Sequence, residues 1–456
     1  MALTWRAVAL AALGAVPVAV WPVPGTVVAW AVVVALVCAA DAALAASPRE
    51  VTLQRTVPAS VRLGTPAWSR LVVTAGGRRR LRALVRDAWP PSLAADLDGD
   101  GMRPHTDPAT VTTSARHRVD LRPGESARLR TPLLATRRGE RTAGAVTVRT
   151  TGPLGIAGRQ ASVPVGGRLR VLPEFASRRH LPSRLARLRE MDGRAAVQVR
   201  GEGTEFDSLR EYVVGDDVRS IDWRATARGG DVVVRTWRPE RDRRVVVVLD
   251  TGRTSAARIG TLADSSVNTG GTRLEASVEA ALLLGALADR AGDRVQVLAY
   301  DRTLRTRVAG ASGPRLLPAM ADALATVEPV LLETDWTGLV GQVRARVSQR
   351  ALVVLLTSLD PAAVETGLLP VVGRLTDTHQ VVVAAVQDAE VAAMAAGRDD
   401  VEQVYDAAAA SRGDLERSAV ATVLRRHGAE VVEALPDQLA PRLADTYLAL
   451  KAAGRL

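Results

Sequence analysis

Two apolar runs stand side by side at the start of this chain, Leu3 to Val20 and Thr26 to Ala46, separated by WPVPG (Trp21–Gly25). Each is about 20 residues, the length at which an α-helix crosses a hydrocarbon core. Pro22, Pro24 and Gly25 supply the break, and Trp21 and Trp30 suit a membrane–water interface. Asp41 comes near the end of the second run, where an ionisable group costs least. ALAAS (Ala43–Ser47) resembles a signal-peptide cleavage site, but a signal has one short apolar core, not two long ones. The expectation is therefore a retained two-helix transmembrane hairpin over residues 1–48. Arg6 precedes the first run, Arg49 and Arg55 follow the second, and the connection has none. The positive-inside rule then puts both termini and the soluble domains of a multi-pass membrane protein in the cytoplasm.

Charge follows the same division. Between Arg49 and Arg170 there are 22 arginines and 9 acids, a net +13, although the whole chain carries only +11. The basic segment comes straight after the apolar runs, so anionic membrane lipids are one candidate partner; solvated arginines on an ordinary β domain are the other reading. Short alternating stretches such as GAVTVRT (Gly144–Thr150) and GRLRVL (Gly167–Leu172), punctuated by Gly and Pro, predict a basic antiparallel β domain over residues 49–172. One loop inside it, Asp96 to Gly101, has Asp96, Asp98, Asp100 and Gly101 at the spacing of a calcium loop, with Asp107 at the closing position. No flanking helices are evident there, and a polar turn between strands explains the same residues.

A connector with a short helix (Leu181–Met191) leads into the most charged stretch of the chain, and together they span residues 173–242. From Glu202 to Arg244 it has ten acids and nine arginines. A nucleic-acid surface would be one-sidedly basic, so nucleic acid is not an expected partner. From residue 243 to 456 the rhythm changes. VVVVLD (Val245–Asp250), DRVQVLAYD (Asp293–Asp301), ALVVLLTSLD (Ala351–Asp360) and HQVVVAAVQD (His379–Asp388) alternate with helical segments, and AEVVEALP (Ala429–Pro436) is a last candidate strand. Continuous apolar strands alternating with helices predict a doubly wound α/β domain, with a parallel sheet covered on both faces.

Ligands of such sheets bind at the carboxyl ends of the strands, which here hold Asp250, Asp301, Asp360 and Asp388. A hard divalent ion such as magnesium would suit them; aspartates in these places also cap helices and form turns. The common catalytic devices are missing. The one lysine, Lys451, is in the tail, the one cysteine, Cys38, is in an apolar run, and the five histidines are scattered. A Walker loop, a cysteine nucleophile and a histidine-based triad are thereby excluded. No enzymatic activity is expected, and the competing class is a metal-dependent hydrolase using Asp250.

The stretch EFDSLREYVVGDDVRSIDWRATAR (Glu205–Arg228) resembles the signature block of the bacterial domain-of-unknown-function 58 family. It matches at Glu205, Phe206, Leu209, Arg210, Tyr212, Gly215, Asp216, Arg219, Ile221, Asp222, Trp223, Ala225, Ala227 and Arg228, with Arg224 inside the block as a further candidate partner-binding residue. The resemblance implies a membrane anchor and a β domain, with a von Willebrand factor type A-like domain after the block. It implies a protein partner too, a MoxR-class AAA+ ATPase, with the chain acting as a membrane-anchored scaffold or adaptor. In type A domains a metal sits on a D-x-S-x-S loop with help from a second-loop threonine and a third-loop aspartate. Here the first loop offers Asp250 and Thr254 but has Gly252 in between, the second offers Thr334 with Thr337 as rival, and the third has Ser358, so that Asp360 would have to substitute. The charged block itself has two readings. It braces the sheet with Trp223 and Tyr212 as buried anchors, or it presents a partner surface rich in Arg, Trp and Tyr.

Overall fold

The computed structural model describes residues 2–93, 95–98, 101–104, 114–198, 205–214, 216–238, 243–259 and 271–456. The chain divides into two units, Met1–Leu172 and Pro173–Leu456.

The first unit begins with a strand, β1 (Ala2–Leu3), then α1 (Trp5–Ala12), α2 (Ala15–Val20) and α3 (Pro24–Leu44). The first expected apolar pass is thus interrupted, and its opening residues belong to a sheet. At the interruption Trp30 packs against the chain: a Cβ at Gly14 would come within 2.2 Å of its Cδ1, and its Nε1 donates to the Leu10 carbonyl at 3.3 Å. Among the described residues, one stretch, Pro24–Glu50, is long and apolar enough to cross a membrane; Trp5–Val20 is apolar but shorter.

Twelve further strands follow: β2 (Val51–Thr56), β3 (Ser60–Arg62), β4 (Pro66–Ala75), β5 (Leu81–Ala88), β6 (Ala95–Asp98), β7 (Gly101–Pro104), β8 (Ser114–Leu121), β9 (Ser126–Leu134), β10 (Gly139–Thr142), β11 (Val146–Thr151), β12 (Ala157–Val163) and β13 (Arg168–Leu172). They form sheets in the orders β1-β12-β11-β5-β8, β2-β4-β9 and β10-β13-β3, plus the β6-β7 hairpin. Pairing is antiparallel as the alternation predicts, except that β13 runs parallel to β3. Period-two alternation buries Leu71, Val73, Val85, Val146 and Val148 in one core. Asp96, Asp98 and Gly101 lie on the β6-β7 hairpin, as the reading of a polar turn between strands has them; Asp100 and Asp107 lie outside the described residues.

The second unit starts with α4 (Leu181–Gln198), then β14 (Glu205–Glu211), α5 (Trp223–Gly229) and β15 (Val233–Arg238). Its main sheet is built from β16 (Arg244–Asp250), β17 (Arg294–Tyr300), β18 (Leu304–Val308), β19 (Leu352–Leu356), β20 (Gln380–Val386) and β21 (Glu430–Ala434), in the order β18-β17-β16-β19-β20-β21. All neighbours are parallel except β17 and β18. The helices are α6 (Arg273–Arg290), α7 (Leu316–Ala325), α8 (Trp336–Arg346), α9 (Pro361–Ala363), α10 (Leu369–Thr376), α11 (Ala389–Ala396), α12 (Val401–Arg426) and α13 (Pro436–Ala452). Strand periodicity splits β16 between two cores. Val245, Val247 and Leu249 pack with α6, α7 and α13, while Val246 and Val248 pack with α8, α10 and α12. Burial on both faces is why these strands read as unbroken apolar runs. Parallel strands need crossovers, and the helices supply them.

Candidate functional site

Asp250 ends the central strand β16 and is 4% exposed. A buried carboxylate needs donors for its lone pairs, and three loops deliver them. Oδ1 accepts from the Gly252 N–H at 2.8 Å and the Thr334 hydroxyl at 2.5 Å. Oδ2 accepts from the hydroxyls of Thr357 at 2.7 Å and Thr254 at 3.3 Å. The structure thus brings together Asp250, Thr254 and Thr334. It adds Thr357, which the type A pattern does not mark, since that pattern has an acid on this loop. Gly252 also acquires a reason. A Cβ there would lie 2.2 Å from the Thr334 hydroxyl oxygen, so Thr334 fills the space that a side chain at 252 would take.

Next to this cluster is a cavity of about 10 Å³ lined by Asp250, Thr254, Thr334, Thr357 and Ser358, enough for about one water-sized body. Among the described residues, the Ser358 hydroxyl is buried with no hydrogen-bond partner. Arg253 and Glu333 also line it, paired at 2.6 Å, and the hydrogen bond to Glu333 holds the Arg253 guanidinium above its usual range. One carboxylate, several hydroxyls and an orphaned serine oxygen form an all-oxygen set that fits a hard divalent cation keeping its own waters. Asp360 does other work: its Oδ1 accepts from the Ala363 N–H at 3.1 Å and caps α9. Thr337 lies in the first turn of α8. Among the described residues no group of three or more His, Cys, Asp or Glu gathers as a metal site.

The other strand-end acids have local roles. Asp388 caps α11 through the Glu390 N–H. Asp301 is fully buried and accepts from Thr251 at 2.9 Å, Arg305 at 2.5 Å and the N–H groups of Arg302 and Thr303. Burial pushes its carboxyl up, but these hydrogen bonds outweigh it, and the net position is below the usual carboxylate range.

The charged block folds as a β-hairpin with a capped helix in its connection. β14 and β15 pair antiparallel, with Glu205 opposite Arg238, Phe206 opposite Trp237 and Leu209 opposite Arg235. Asp216 takes both guanidinium nitrogens of Arg210, at 2.8 and 2.6 Å, which holds Arg210 above its usual range. Asp222 caps α5 through the N–H groups of Arg224 and Ala225 and accepts from Arg235 at 2.8 Å. The Ala225 bond first, then Arg235, hold its carboxyl below the usual range. Gly230, at φ +83°, closes the helix. Gly215 lies outside the described residues.

The expected Arg–Asp network is present, but the buried anchors are not. Tyr212 is half-buried and Trp223 is 67% exposed. The hairpin meets its polar needs with its own caps and ion pairs, which leaves Trp223 facing outward. Beside it stand Arg219 and Arg224, exposed and without an ion pair among the described residues. These residues and Ser220, Ile221 and Arg235 line an open cleft of about 390 Å³. Val213, Val214 and Val218 are exposed on the same connection.

Residues 208–430 match the family described as "Protein of unknown function DUF58", which supports the resemblance over that stretch. No curated protein matches the chain. Among solved structures, the CARDB domain of a Pyrococcus furiosus protein in complex with di-metal ions is similar at 13% identity and TM-score 0.18, over 27% of this chain and 87% of that one. A cohesin module from a Clostridium perfringens family 33 glycoside hydrolase is similar at 9% identity and TM-score 0.18, over 26% and 96%. The sporulation control protein Spo0M of Bacillus subtilis is similar at 12% identity and TM-score 0.14, over 26% and 50%.

Proposed function

We propose that the protein is a membrane-anchored scaffold that binds a protein partner through the charged block and turns over no substrate itself. One observation carries the reading: Trp223 is 67% exposed beside an open cleft, near Arg219 and Arg224, which form no ion pair among the described residues. An aromatic ring flanked by guanidinium groups is the composition that dominates protein interfaces. The resemblance alone names the partner, a MoxR-class AAA+ ATPase. The apolar stretch Pro24–Glu50 supports the anchor. Two passes with both termini cytoplasmic remain part of the proposal, on the strength of the flanking arginines.

The sheet order supports a von Willebrand factor type A-like domain: five parallel strands, one antiparallel edge strand and an aspartate at the end of the central strand. Within that reading the cavity beside Asp250 takes magnesium, held by Asp250, Thr254 and Thr334, with Thr357 and Ser358 on the loop where Asp360 was expected to serve.

The test is recovery of partners from detergent extracts of the native host with the parent chain and with the Trp223→Ala, Arg224→Ala double variant. The reading expects one partner to be recovered by the parent and lost by the variant at unchanged circular dichroism. Equal recovery, or hydrolysis of a phosphoester or peptide that Asp250→Ala abolishes, overturns it.

A further inference from the structure

The end of the apolar helix α3 is tied to the β domain by charged groups, and their arrangement points outward as well as inward. Asp41 is fully buried and accepts three backbone N–H groups, from Leu154 at 2.8 Å, Ile156 at 2.8 Å and Ala157 at 2.9 Å. It thereby pins the turn between β11 and β12 against the last turn of α3. The fit is close, since a Cβ at Gly152 would come within 2.2 Å of Asp41. Around this joint four arginines each bond a carbonyl. Arg159 donates to Ala42 at 2.9 Å, Arg79 to Ala43, Arg149 to Leu3 and Arg6 to Leu154 at 3.1 Å.

A guanidinium group has five N–H donors, and these contacts use one or two of them. Among the described residues none of the four forms an ion pair, whereas Arg55, Arg80 and Arg82 of the same unit do. Among the described residues no carboxylate pairs directly with the collar, although the buried Asp41 lies at its centre. The apolar side chains next to it are uncovered as well. Leu3 is 57% exposed, Trp5 75%, Leu44 53% and Leu154 54%. Cations and apolar side chains at the end of an apolar helix match the layering of a leaflet, where head groups give way to acyl chains.

We propose that Arg6, Arg79, Arg149 and Arg159 form a binding site for anionic phospholipid head groups, with Leu3, Trp5, Leu44 and Leu154 immersed at the base of the acyl chains. The proposal rests on the membrane-anchor part of the function proposed above. It differs from simple capping of α3 by arginine, which would fasten the helix and leave lipid identity without effect.

The experiment is native mass spectrometry of the full chain from micelles doped with equal phosphatidylglycerol and phosphatidylcholine. Preferential retention of phosphatidylglycerol is expected, falling on the order of tenfold to a hundredfold in the Arg79→Gln, Arg149→Gln, Arg159→Gln variant. Equal retention by the parent overturns the proposal, and so does an unchanged preference in a folded variant. Should the variant not fold, the parent's preference must weaken between about 50 and 500 mM salt, since exposed ion contacts are screened; insensitivity to salt overturns it. A parent chain that stays monomeric in solution without detergent removes the anchor itself, an outcome distinct from loss of lipid preference.

Discussion

The Thr334 hydroxyl donates to Oδ1 of Asp250 at 2.5 Å from the space that a side chain at residue 252 would need. The two loops are therefore coupled: glycine at 252 is the condition for threonine at 334. Gly252→Ser should destabilise the protein by about 1–3 kcal/mol, the usual cost of overpacking. The cost should shrink in a Thr334→Ala background, where the space is free. A double-mutant cycle read by denaturant unfolding measures this coupling, and strict additivity would separate the two residues.

A buried pair in the β domain gives a second prediction. Arg55 and Asp87 meet at 2.6 Å with both side chains fully buried, and Asp87 also accepts from Ser69, Thr131 and the Trp89 indole N–H. Removing one member strands the other charge. Asp87→Ala should cost about 3–5 kcal/mol, and the double replacement Arg55→Met, Asp87→Leu should recover much of it. Thermal melts of the detergent-purified chain would show the order parent, double variant, single variant.

The main sheet was legible because strands buried on both faces leave one-letter traces, as in VVVVLD (Val245–Asp250), and every strand read there is found. β18 was not read. It is an edge strand whose Arg305 and Arg307 alternate with small or apolar residues, so it looks like a polar loop. β1 was hidden because Ala2 and Leu3 are as suited to a helix as to a strand, and only pairing with β12 decides. Of the site, Asp250 was legible as an acid at a strand end, whereas Thr254 and Thr334 were pointed to only by the resemblance to type A domains. Thr357 was not legible, because its role depends on the direction in which β19 delivers it. The reversal at Trp223 has the same origin: a tryptophan in a motif reads as core, and only the surrounding fold shows its exposure.

Stability should depend on pH through a buried histidine. His379 is 4% exposed and its Nδ1 is buried without a partner among the described residues. Burial first, and then Arg344, hold its pKa below the ordinary 6.5. The unfolded chain thus takes up the proton more readily than the folded one. The stabilisation is complete above the unfolded value and is lost as pH falls below about 6.5 toward the folded value. His117 and His180 are lowered by burial too and share this slope. His379→Gln should flatten the melting-temperature profile as pH falls below about 6.5. Asp301 is lowered as a carboxylate, so its contribution is lost only at lower pH, below the ordinary carboxylate range.

The single lysine is engaged. Lys451 Nζ lies 2.8 Å from Asp293 Oδ1, and Tyr447 donates to Oδ2 at 2.5 Å, fastening α13 beside β17. The lysine side chain is 11% exposed and the aspartate 2%. Lys451→Met should cost about 3–5 kcal/mol by leaving the buried Asp293 charge without its cation, with the Tyr447 hydrogen bond alone to hold it. An amine-reactive label should modify the native chain slowly and the unfolded chain fast; equal rates would show that the contact does not persist.

The two readings of the charged block diverge in a single substitution. If Trp223 braced the sheet, truncating it would open a core cavity and cost about 3–5 kcal/mol. The ring is instead 67% exposed, and the caps of α5 at Asp222 and Gly230 do not depend on it. Trp223→Ala should therefore stay within about 0.5 kcal/mol of the parent, as surface substitutions do. Asp222→Ala supplies the internal control. It removes two capping bonds and the Arg235 ion pair, and loss of the cap alone costs about 0.5–2 kcal/mol. Chemical denaturation of both variants decides the matter. A stable Trp223→Ala beside a weakened Asp222→Ala leaves the ring free for a partner, and the reverse order would make it part of the fold.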